Sequence, residues 1–434
     1  MKPFQNELSD IFFIPLENTT PQEEASSYLI YAPLNGYMLI ASAEEANTLH
    51  QAIHAPQINN NGDIIEAVQA LTAIPDQYPN DIIQSPHETC SLTILPNSKC
   101  NFSCSYCYAS KGHTGEELSI FKLEKTIDFF IDPKRTSNRN LYISFGGGGE
   151  PFLSWDIMKH ALDYASQKAN KFGFTIHFSF ASNGSVISKE IIDTIKHNNV
   201  KANISFDILE DIQNLQRKNH SLVSTNIISL LASNIKPSLN TIITPANVFR
   251  QEEMVLEIAS KYPGLERLSF DPVIDEKLAS NNTDLKDFYS SYTKGFFEAR
   301  RLGKKYGIDV NSILLRNTGL KRHRACPGGF DLTPDGHISV CYLVSSPKDS
   351  FYKDFIYGNI SKDGEIALDE KKFVSLLNEC TNNRKECRQC FARWHCGGGC
   401  LYEYRLYPSE ARMVACDFIR QFTLKALLEQ FDSN

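Results

Sequence analysis

The spacing of twelve cysteines constrains this 434-residue chain more than any other feature. Eight of them lie beyond residue 310, and three more fall within the short stretch 100–107. The chain begins MKPFQNELSD, without the apolar segment of an export signal. Because the cytosol keeps thiols reduced, the pattern favours metal binding over disulfides and predicts a cytoplasmic protein.

Charge and hydropathy argue against two kinds of partner. The formal net charge is -7, so the chain has no global basic field with which to bind nucleic acid. No apolar run approaches the roughly 18 residues that a membrane-spanning helix needs. We therefore expect neither nucleic acid nor a membrane among the partners.

The residue pattern divides the chain into three parts. Residues 1–89 contain no cysteine and predict a strand, a hairpin turning at 35–36 and two helices. Residues 90–310 contain six predicted βα units, which indicate a parallel sheet, either an incomplete barrel or an open sheet. Residues 311–434, closed by a predicted helix at 416–431, indicate a small domain organised by metal rather than by a large core.

The predicted elements have definite positions. The six strands are predicted at 92–95, 141–145, 175–181, 202–206, 239–243 and 267–270. Helices are predicted at 43–52, 63–73, 155–169, 189–197, 221–233 and 248–262, with a linker at 75–80. The carboxyl ends of the parallel strands are where we expect the chemistry.

The first cysteine cluster follows the first strand of the second part. Cys100, Cys104 and Cys107 have the spacing C-x3-C-x2-C, with Tyr106 before the third cysteine. Three thiolates can hold three irons of a four-iron cluster and leave the fourth iron free for a small molecule. The alternatives are ordinary buried thiols or a zinc site, for which His113 is the nearby histidine.

This cysteine loop after the first strand of a βα barrel resembles the radical S-adenosylmethionine (SAM) enzymes. The resemblance implies an α/β fold with a partial (β/α)6 TIM-like barrel at 90–310. It also implies that SAM chelates the fourth iron of a [4Fe–4S] cluster. An electron from a donor such as flavodoxin or ferredoxin then cleaves SAM to a 5′-deoxyadenosyl radical, which abstracts hydrogen from the substrate.

Further motifs resemble the family's SAM-binding elements at the expected strand ends. They are a GGEP stretch, an S-N-G turn and an S-x-D…R element, in which Ile208 stands where the family usually has glycine. The glycine stretch lacks the Gly-Lys-Ser/Thr of a phosphate-binding loop. The resemblance implies SAM contacts at Tyr106, Gly148, Gly149, Glu150, Ser182, Asn183, Ser205, Asp207, Arg217 and Leu268. A plain core leucine is the alternative for Leu268.

The C-terminal cysteines have a second diagnostic spacing, C-x9-G-x4-C, then C-x2-C-x5-C-x3-C, then a final cysteine. This resembles the SPASM domain, and zinc knuckles are the alternative. The resemblance implies two auxiliary [4Fe–4S] clusters. The nearer cluster takes Cys326, Cys341 and Cys400, and the outer cluster takes Cys387, Cys390, Cys396 and Cys416.

The nearer cluster is short of one ligand by this resemblance. Sulfatase-maturing relatives have a further cysteine where this chain has Leu320. The nearer cluster therefore keeps an open iron or recruits another ligand. Cys380 is a candidate, with a free cysteine as the alternative.

The family implies a peptide or protein substrate, and three hypotheses compete. The first is maturation of a ribosomally made peptide by a carbon–carbon, thioether or ether crosslink, with residues 1–89 resembling an α+β RRE (RiPP recognition element) that captures the precursor's leader by strand addition. A structural cap is the alternative for 1–89.

The second hypothesis is sulfatase maturation to formylglycine, although those enzymes carry an aspartate base where this chain has Tyr342. The third is an iron–sulfur electron-transfer or scaffold protein without SAM chemistry. The sequence names no catalytic base or radical-relay residue.

Overall fold

The computed structural model describes residues 10–16, 26–55, 61–74, 79 and 83–431. Its first part, the N-terminal unit, is an antiparallel sheet of three strands in the order β1-β2-β3, covered by two helices. The bounds are β1 Phe12–Pro15, β2 Ser27–Ala32, β3 Tyr37–Ser42, α1 Ala43–His54 and α2 Gly62–Thr72. The predicted order of elements is confirmed, while the predicted linker at 75–80 lies, apart from Pro79, outside the described residues.

Local chemistry explains the turn and the helix of this unit. Gly36 has φ +77° and closes the β2–β3 turn, as the Asn-Gly pair predicts. Ser42 caps α1 by accepting a hydrogen bond from the N–H of Glu45, whose carboxylate accepts one in return from the N–H of Ser42. The hairpin and the first helix thus follow directly from the sequence.

The central part alternates strands and helices. Its strands are β4 Ser91–Ile94, β5 Asn140–Phe145, β6 Thr175–Ser182, β7 Lys201–Ser205, β8 Ser238–Ile243, β9 Arg267–Pro272 and β10 Asp309–Asn311. Its helices are α3 Ile120–Phe130, α4 Trp155–Phe172, α5 Lys189–His197, α6 Glu210–Gln216, α7 His220–Ala232, α8 Gln251–Lys261, α9 Glu276–Ala279 and α10 Asn282–Lys305. The strands β4 to β10 pair in parallel in sequence order. The α/β fold and the six predicted strands are confirmed, and β10 adds a further parallel strand at one edge.

The C-terminal part continues the same sheet. Its strands are β11 Phe330–Leu332, β12 His337–Ser339, β13 Ile356–Ile360 and β14 Ile366–Leu368. Its helices are α11 Ile313–Thr318, α12 Tyr352–Phe355, α13 Glu370–Asn378, α14 Arg393–Cys396, α15 Leu401–Leu406 and α16 Ser409–Leu428. β11 pairs in parallel with β4, and β12 to β14 follow as an antiparallel extension.

One hydrophobic core joins the central and C-terminal parts, which differs from the expectation of a small domain organised by metal. Phe330 of β11 is completely buried and lies against Phe130 of α3. Phe418 and Phe422 of α16 pack on Tyr292 of α10. Burial of these aromatic side chains stabilises the C-terminal part without any metal, because each removes a large apolar area from water. Among the described residues, no helix is both long and apolar enough to cross a membrane.

Candidate active site

The barrel loop, residues 100–107, leaves the carboxyl end of β4 and is anchored by its own backbone. Phe102 is buried in the core between the first two cysteines. The N–H of Cys107 donates to the carbonyl of Cys104 at 3.2 Å, and the N–H of Ser105 donates to the carbonyl of Gln216 at 2.9 Å. The loop is thereby tied to the end of α6, which follows β7.

The three thiols of this loop lie close enough to influence one another. Burial and the neighbouring thiolates of Cys107 and Cys100 raise the pKa of Cys104 to about 11, although Arg217 opposes the shift. Burial also raises the pKa of Cys100 and of Cys107. Without a metal the thiols are therefore protonated, and iron must displace the protons when it binds.

The glycine stretch after β5 lies directly beside this loop. Gly146, Gly147 and Gly148 have φ of 156°, 81° and 69°. A Cβ on Gly149 would lie 2.1 Å from the carbonyl oxygen of Lys99, so no larger residue fits there. The N–H of Gly149 donates to the carbonyl of Asn97 at 3.1 Å, which ties the stretch to the segment that leads into the cysteines.

Glu150 organises this end of the sheet. Its carboxylate is buried and accepts hydrogen bonds from the hydroxyl of Ser182 at 2.8 Å, the N–H of Asn183 at 2.7 Å and the N–H of Phe152 at 3.1 Å. The Asn183 side chain donates to Asn101 Oδ1 in the barrel loop at 3.0 Å. Glu150 therefore joins the ends of β5 and β6, and its own predicted contact with SAM stays a prediction.

The end of β7 supplies a buried polar network. Asp207 is 0% exposed, and its carboxylate accepts hydrogen bonds from the Tyr106 hydroxyl at 2.9 and 3.0 Å and from Gln216 Nε2 at 3.0 Å. The Tyr106 hydroxyl accepts in turn from Arg217 Nη1 at 2.8 Å. Ser205 is the last residue of β7. Three sequence-predicted residues, Tyr106, Asp207 and Arg217, thus meet beside the barrel loop, and Gln216, which the motifs did not single out, orients Asp207.

Arg217 is poised to bind an anion. Burial disfavours its charge, but Tyr106, Cys104 and Asp207 outweigh that effect and hold its pKa above the ordinary value. Its Nε is buried without a hydrogen-bond partner among the described residues. A buried donor without a partner costs free energy, so a ligand that offers a carboxylate fits here. This open donor, the three thiols and the tight glycine stretch fit a four-iron cluster with bound SAM.

Ile208, which stands where the family usually has glycine, has an unusual backbone conformation. Ile208 has φ +65°, in the left-handed region that glycine adopts readily, and it is 0% exposed. A β-branched residue there is strained by about 1–3 kcal/mol. His220 Nε2 lies 3.0 Å from the Ile208 carbonyl oxygen. The chain therefore adopts at this position a backbone conformation that favours glycine, while it fills the site with an apolar side chain.

Two residues of the sequence analysis lie elsewhere. Leu268 is the second residue of β9 and is buried in the core between Leu239 and Val310, so its predicted contact with adenine stays a prediction. His113 Nε2 lies 3.2 Å from the carbonyl oxygen of Gly148, so the only histidine considered for a zinc site lies against the glycine stretch.

The geometry agrees with a comparison of the sequence against family models. Residues 94–258 match the model of the radical SAM superfamily. The chain contains a radical SAM domain. Its family implies SAM and a [4Fe–4S] cluster, and it classes the chain among radical-based catalysts.

Curated relatives are distant but cover most of the chain. The radical SAM cyclopropyl synthase TigE of Paramaledivibacter caminithermalis is 22% identical, over 74% of this chain and 69% of its own length. The cysteine-type anaerobic sulfatase-maturating enzyme of Clostridium novyi is 24% identical, over 71% of this chain and 87% of its own length. The chain is thus similar both to a radical SAM cyclopropyl synthase and to a sulfatase-maturating enzyme.

Solved structures show the same fold. Native anSMEcpe with bound AdoMet aligns with a TM-score of 0.61 and 17% identity, over 79% of this chain and 99% of its own. Streptococcus suis SuiB bound to precursor peptide SuiA aligns with a TM-score of 0.52 and 12% identity, over 93% of this chain and 99% of its own. Residues 90–434 are 345 of the 434 residues, so coverage of 93% extends into the N-terminal unit.

Beyond the radical SAM domain, the C-terminal thiols influence one another within two groups. Burial is the main cause that raises the pKa of Cys341, and the thiolates of Cys400 and Cys326 contribute to the shift. Burial and the thiolates of Cys416, Cys390 and Cys387 raise the pKa of Cys396 to about 12. We call Cys326, Cys341 and Cys400 the nearer set, and Cys387, Cys390, Cys396 and Cys416 the outer set.

Three glycines bring these sets together. Gly397, Gly398 and Gly399 all have positive φ between two cysteines of different sets. A Cβ on Gly397 would lie 2.5 Å from the backbone nitrogen of Ala325, beside Cys326. Among the described residues, no three histidine, cysteine, aspartate or glutamate side chains are arranged to hold a single metal ion. The assignment of clusters to these sets stays a prediction that rests on the grouping of the thiols.

Three other residues of the motifs have structural partners. His337 Nδ1 lies 3.1 Å from Asp335 Oδ2, and His395 Nε2 lies 2.7 Å from the Tyr31 hydroxyl. Both histidines therefore make hydrogen bonds. Tyr342, directly after Cys341, is 49% exposed, and its ring lies 6.5 Å from that of Tyr108.

Proposed function

We propose that this protein modifies a ribosomally made precursor peptide by radical SAM chemistry and forms a crosslink within it. One observation carries the choice of substrate: a small three-stranded sheet with an available edge is docked against the loop of the outer set. The proposal includes a leader-binding N-terminal domain at 1–89, a radical SAM barrel at 90–310 and an auxiliary-cluster domain at 311–434.

The residues of the barrel have different proposed roles in holding the cluster and SAM. Cys100, Cys104 and Cys107 hold the cluster, while Arg217 receives the carboxylate of SAM through its unpartnered Nε. Asp207 fixes the hydroxyl of Tyr106 by accepting its hydrogen bond, so the ring of Tyr106 is held beside the SAM site. When bound, the cluster and SAM supply the 5′-deoxyadenosyl radical that abstracts hydrogen from the peptide.

The N-terminal unit offers an edge for strand addition. Among the described residues, β3 pairs with β2 alone, which leaves its other edge open. Ile40 of β3 is 48% exposed, and Tyr37 is also exposed. An extended leader peptide can gain affinity from backbone hydrogen bonds at this edge and register from side-chain pockets.

The unit is held firmly against the C-terminal part. Arg393 Nη2 and Asp10 Oδ2 lie 3.1 Å apart, and Lys321 Nζ donates to the Leu34 carbonyl at 2.7 Å. Apolar packing joins Phe12, Ile14, Leu29 and Tyr31 with Leu427, Phe391 and Leu424. A leader bound to a fixed unit keeps the core peptide at high local concentration near the barrel.

The sulfatase-maturing alternative loses support at one position. Those relatives carry an aspartate directly after the second cysteine of the nearer set, where this chain has Tyr342. A phenol is protonated near neutral pH even at its ordinary pKa of about 10, so Tyr342 does not supply the base that the aspartate provides. The electron-transfer or scaffold alternative does not account for Arg217 Nε, which is buried without a hydrogen-bond partner among the described residues.

The auxiliary clusters complete the proposal. The nearer set and the outer set each receive a [4Fe–4S] cluster, with iron preferred to zinc because the thiols belong to sets that resemble SPASM ligands. Reconstituted protein should bind on the order of twelve irons, four for each set. About four irons with zinc in the C-terminal sets would contradict this part. Clusters of this kind suit a cytoplasmic enzyme that receives electrons from a flavodoxin or ferredoxin.

The substrate is tested by supplying two peptides to the reduced, reconstituted enzyme with SAM. One is a short precursor peptide encoded beside this gene, and the other carries the active-site cysteine or serine of a sulfatase. We expect tandem mass spectrometry to locate a new bond between two residues of the precursor and no change in the other peptide. An aldehyde at the sulfatase residue, with an unchanged precursor, would replace the proposal by the sulfatase alternative.

A further inference from the structure

The nearer set leaves one position of its cluster without an assigned ligand. It has three thiols, Cys326, Cys341 and Cys400, for four irons. The position that supplies a fourth cysteine in the sulfatase-maturing relatives is Leu320, which is exposed here. Either one iron is open to a substrate or another side chain of this chain closes it.

Cys380 lies beside two segments that lead into the nearer set. It follows α13 and precedes Thr381, whose backbone carbon lies only 2.5 Å from the position of a Cβ on Gly398. The N–H of Asn382 donates to the carbonyl of His323 at 2.9 Å. The N–H of Ala325 donates to the carbonyl of Gly397 at 2.8 Å. Residues 380–382 therefore lie between the segment that ends at Cys326 and the segment that ends at Cys400.

The Cys380 thiol is buried and close to the nearer set. Cys380 is 2% exposed, whereas Cys90, the other cysteine outside the motifs, is partly exposed. The thiols of Cys380 and Cys326 interact electrostatically, so the two sulfurs lie near one another. Arg384 interacts with Cys380 and also with Cys387 and Cys416 of the outer set.

We propose that Cys380 is the fourth thiolate ligand of the nearer cluster. The inference rests on the proposed function, because it requires that the nearer set hold a [4Fe–4S] cluster. Every iron of that cluster then carries a protein ligand. The nearer cluster transfers electrons and does not bind the peptide, and the barrel cluster is the only one with an open iron.

Asp331 is the rival ligand. Its carboxylate is buried and interacts with Cys326 and Cys341, and burial raises its pKa to about 7. However, it already accepts hydrogen bonds from the Thr93 side chain and from the Tyr342 N–H. Thiolate is the usual protein ligand of iron–sulfur clusters, so the geometry favours Cys380.

The test uses the loss of an iron that lacks a protein ligand. The full-length background protein carries Cys100→Ala, Cys104→Ala and Cys107→Ala, which removes the barrel cluster. Mild ferricyanide oxidation of a cluster with an open iron produces a [3Fe–4S] form, which electron paramagnetic resonance (EPR) quantifies. Cys380→Ala, Cys90→Ala and Asp331→Asn are added singly to this background, and total iron is measured for each protein before oxidation.

We expect little [3Fe–4S] signal from the background, from Cys90→Ala and from Asp331→Asn, and a several-fold larger signal from Cys380→Ala. Equal signals with and without Cys380, or a signal that appears only with Asp331→Asn, would overturn the inference. A background protein without C-terminal iron would instead contradict the proposed function. If Cys380→Ala loses the iron of the nearer cluster, Cys380→Ser decides. A retained cluster with a shifted reduction potential supports ligation, and an unchanged potential and EPR spectrum contradict it.

Discussion

The barrel loop and the C-terminal sets use the same side chain in two different settings. Burial raises the pKa of the thiols at 100, 104 and 107, and it does the same at 326, 341 and 400. The barrel loop is bordered by a buried network in which the Tyr106 hydroxyl joins the carboxylate of Asp207 to Arg217, whose Nε has no partner among the described residues.

The C-terminal sets have a different border. Glycines and two arginines lie beside them: Arg384 interacts with Cys387 and Cys416, and Arg420 interacts with Cys390. His395, next to Cys396, is engaged by the N-terminal unit through Tyr31. The difference teaches that burial of thiols alone does not distinguish a reaction centre from a supporting centre. The buried network of a carboxylate, a phenol and a guanidinium beside the barrel loop does, and the following predictions test that distinction.

The largest effect is expected from Cys104→Ala. The barrel set then has two of its three thiolates, so SAM cleavage should fall by about 100-fold or more. The measurement is the rate of 5′-deoxyadenosine release by anaerobic, reduced protein, with Cys90→Ala as the matched control. Release at the normal rate by Cys104→Ala would show that the reaction centre lies elsewhere.

Cys390→Ala should affect the two regions differently, with little change in SAM cleavage and a large loss of peptide modification. It removes one ligand of the outer set, far from the bound SAM, so cleavage of SAM should stay within about threefold of the wild-type rate. Formation of modified peptide should fall much more, since electron supply and peptide binding depend on the C-terminal part. Chromatography of 5′-deoxyadenosine and mass spectrometry of the peptide measure both. A parallel loss of both products would mean that the two regions are not distinct in function.

Deletion of residues 1–82 should weaken binding of a fluorescent leader peptide by on the order of 100-fold, because tethering through the small sheet is lost. The deletion keeps residues 83–89, which the barrel holds: Arg135 Nη1 donates to the carbonyls of His87 and Thr89. SAM cleavage without peptide should persist, since no predicted ligand lies in the deleted part. Equal affinity of both proteins for the leader would make the N-terminal unit a structural cap.

The smallest effect is expected at Ile208. Its side chain is fully buried, so both Ile208→Ala and Ile208→Gly should destabilise the protein by creating a cavity. Glycine adopts φ +65° without strain, whereas alanine does not, so the glycine variant should be the more stable by about 1 kcal/mol. The apparent unfolding temperatures of the two variants decide the order. A more stable alanine variant would show that the backbone relaxes there.

The elements of the barrel could be predicted because their local patterns are strong. The predicted helix at 189–197 coincides with α5, which Ser188 caps through the N–H of Ile191. α16 begins at Ser409, seven residues before the predicted helix, and Pro408 directly before it is a start signal that could have located it. β11 has only three residues, and its pairing with β4 depends on tertiary contacts that no local period reveals.

The sequence proposed ligands for the site but not the residues that support them. Motif spacing singled out the cysteines and Arg217, and their role as ligands stays a prediction. It did not identify Gln216, which orients Asp207, because a helical glutamine carries no pattern of its own. Nor did it reveal the hydrogen bond of Tyr31 with His395, since these residues are 364 positions apart.

The central claim is that the barrel loop, with its polar network, cleaves SAM. The most direct measurement is the anaerobic release of 5′-deoxyadenosine from SAM by reconstituted, dithionite-reduced wild-type protein, beside the Cys104→Ala variant. Steady release by the wild type and none above background by the variant is the predicted result. A wild-type protein that binds its full iron and yet releases no 5′-deoxyadenosine, with or without a precursor peptide, would contradict the account.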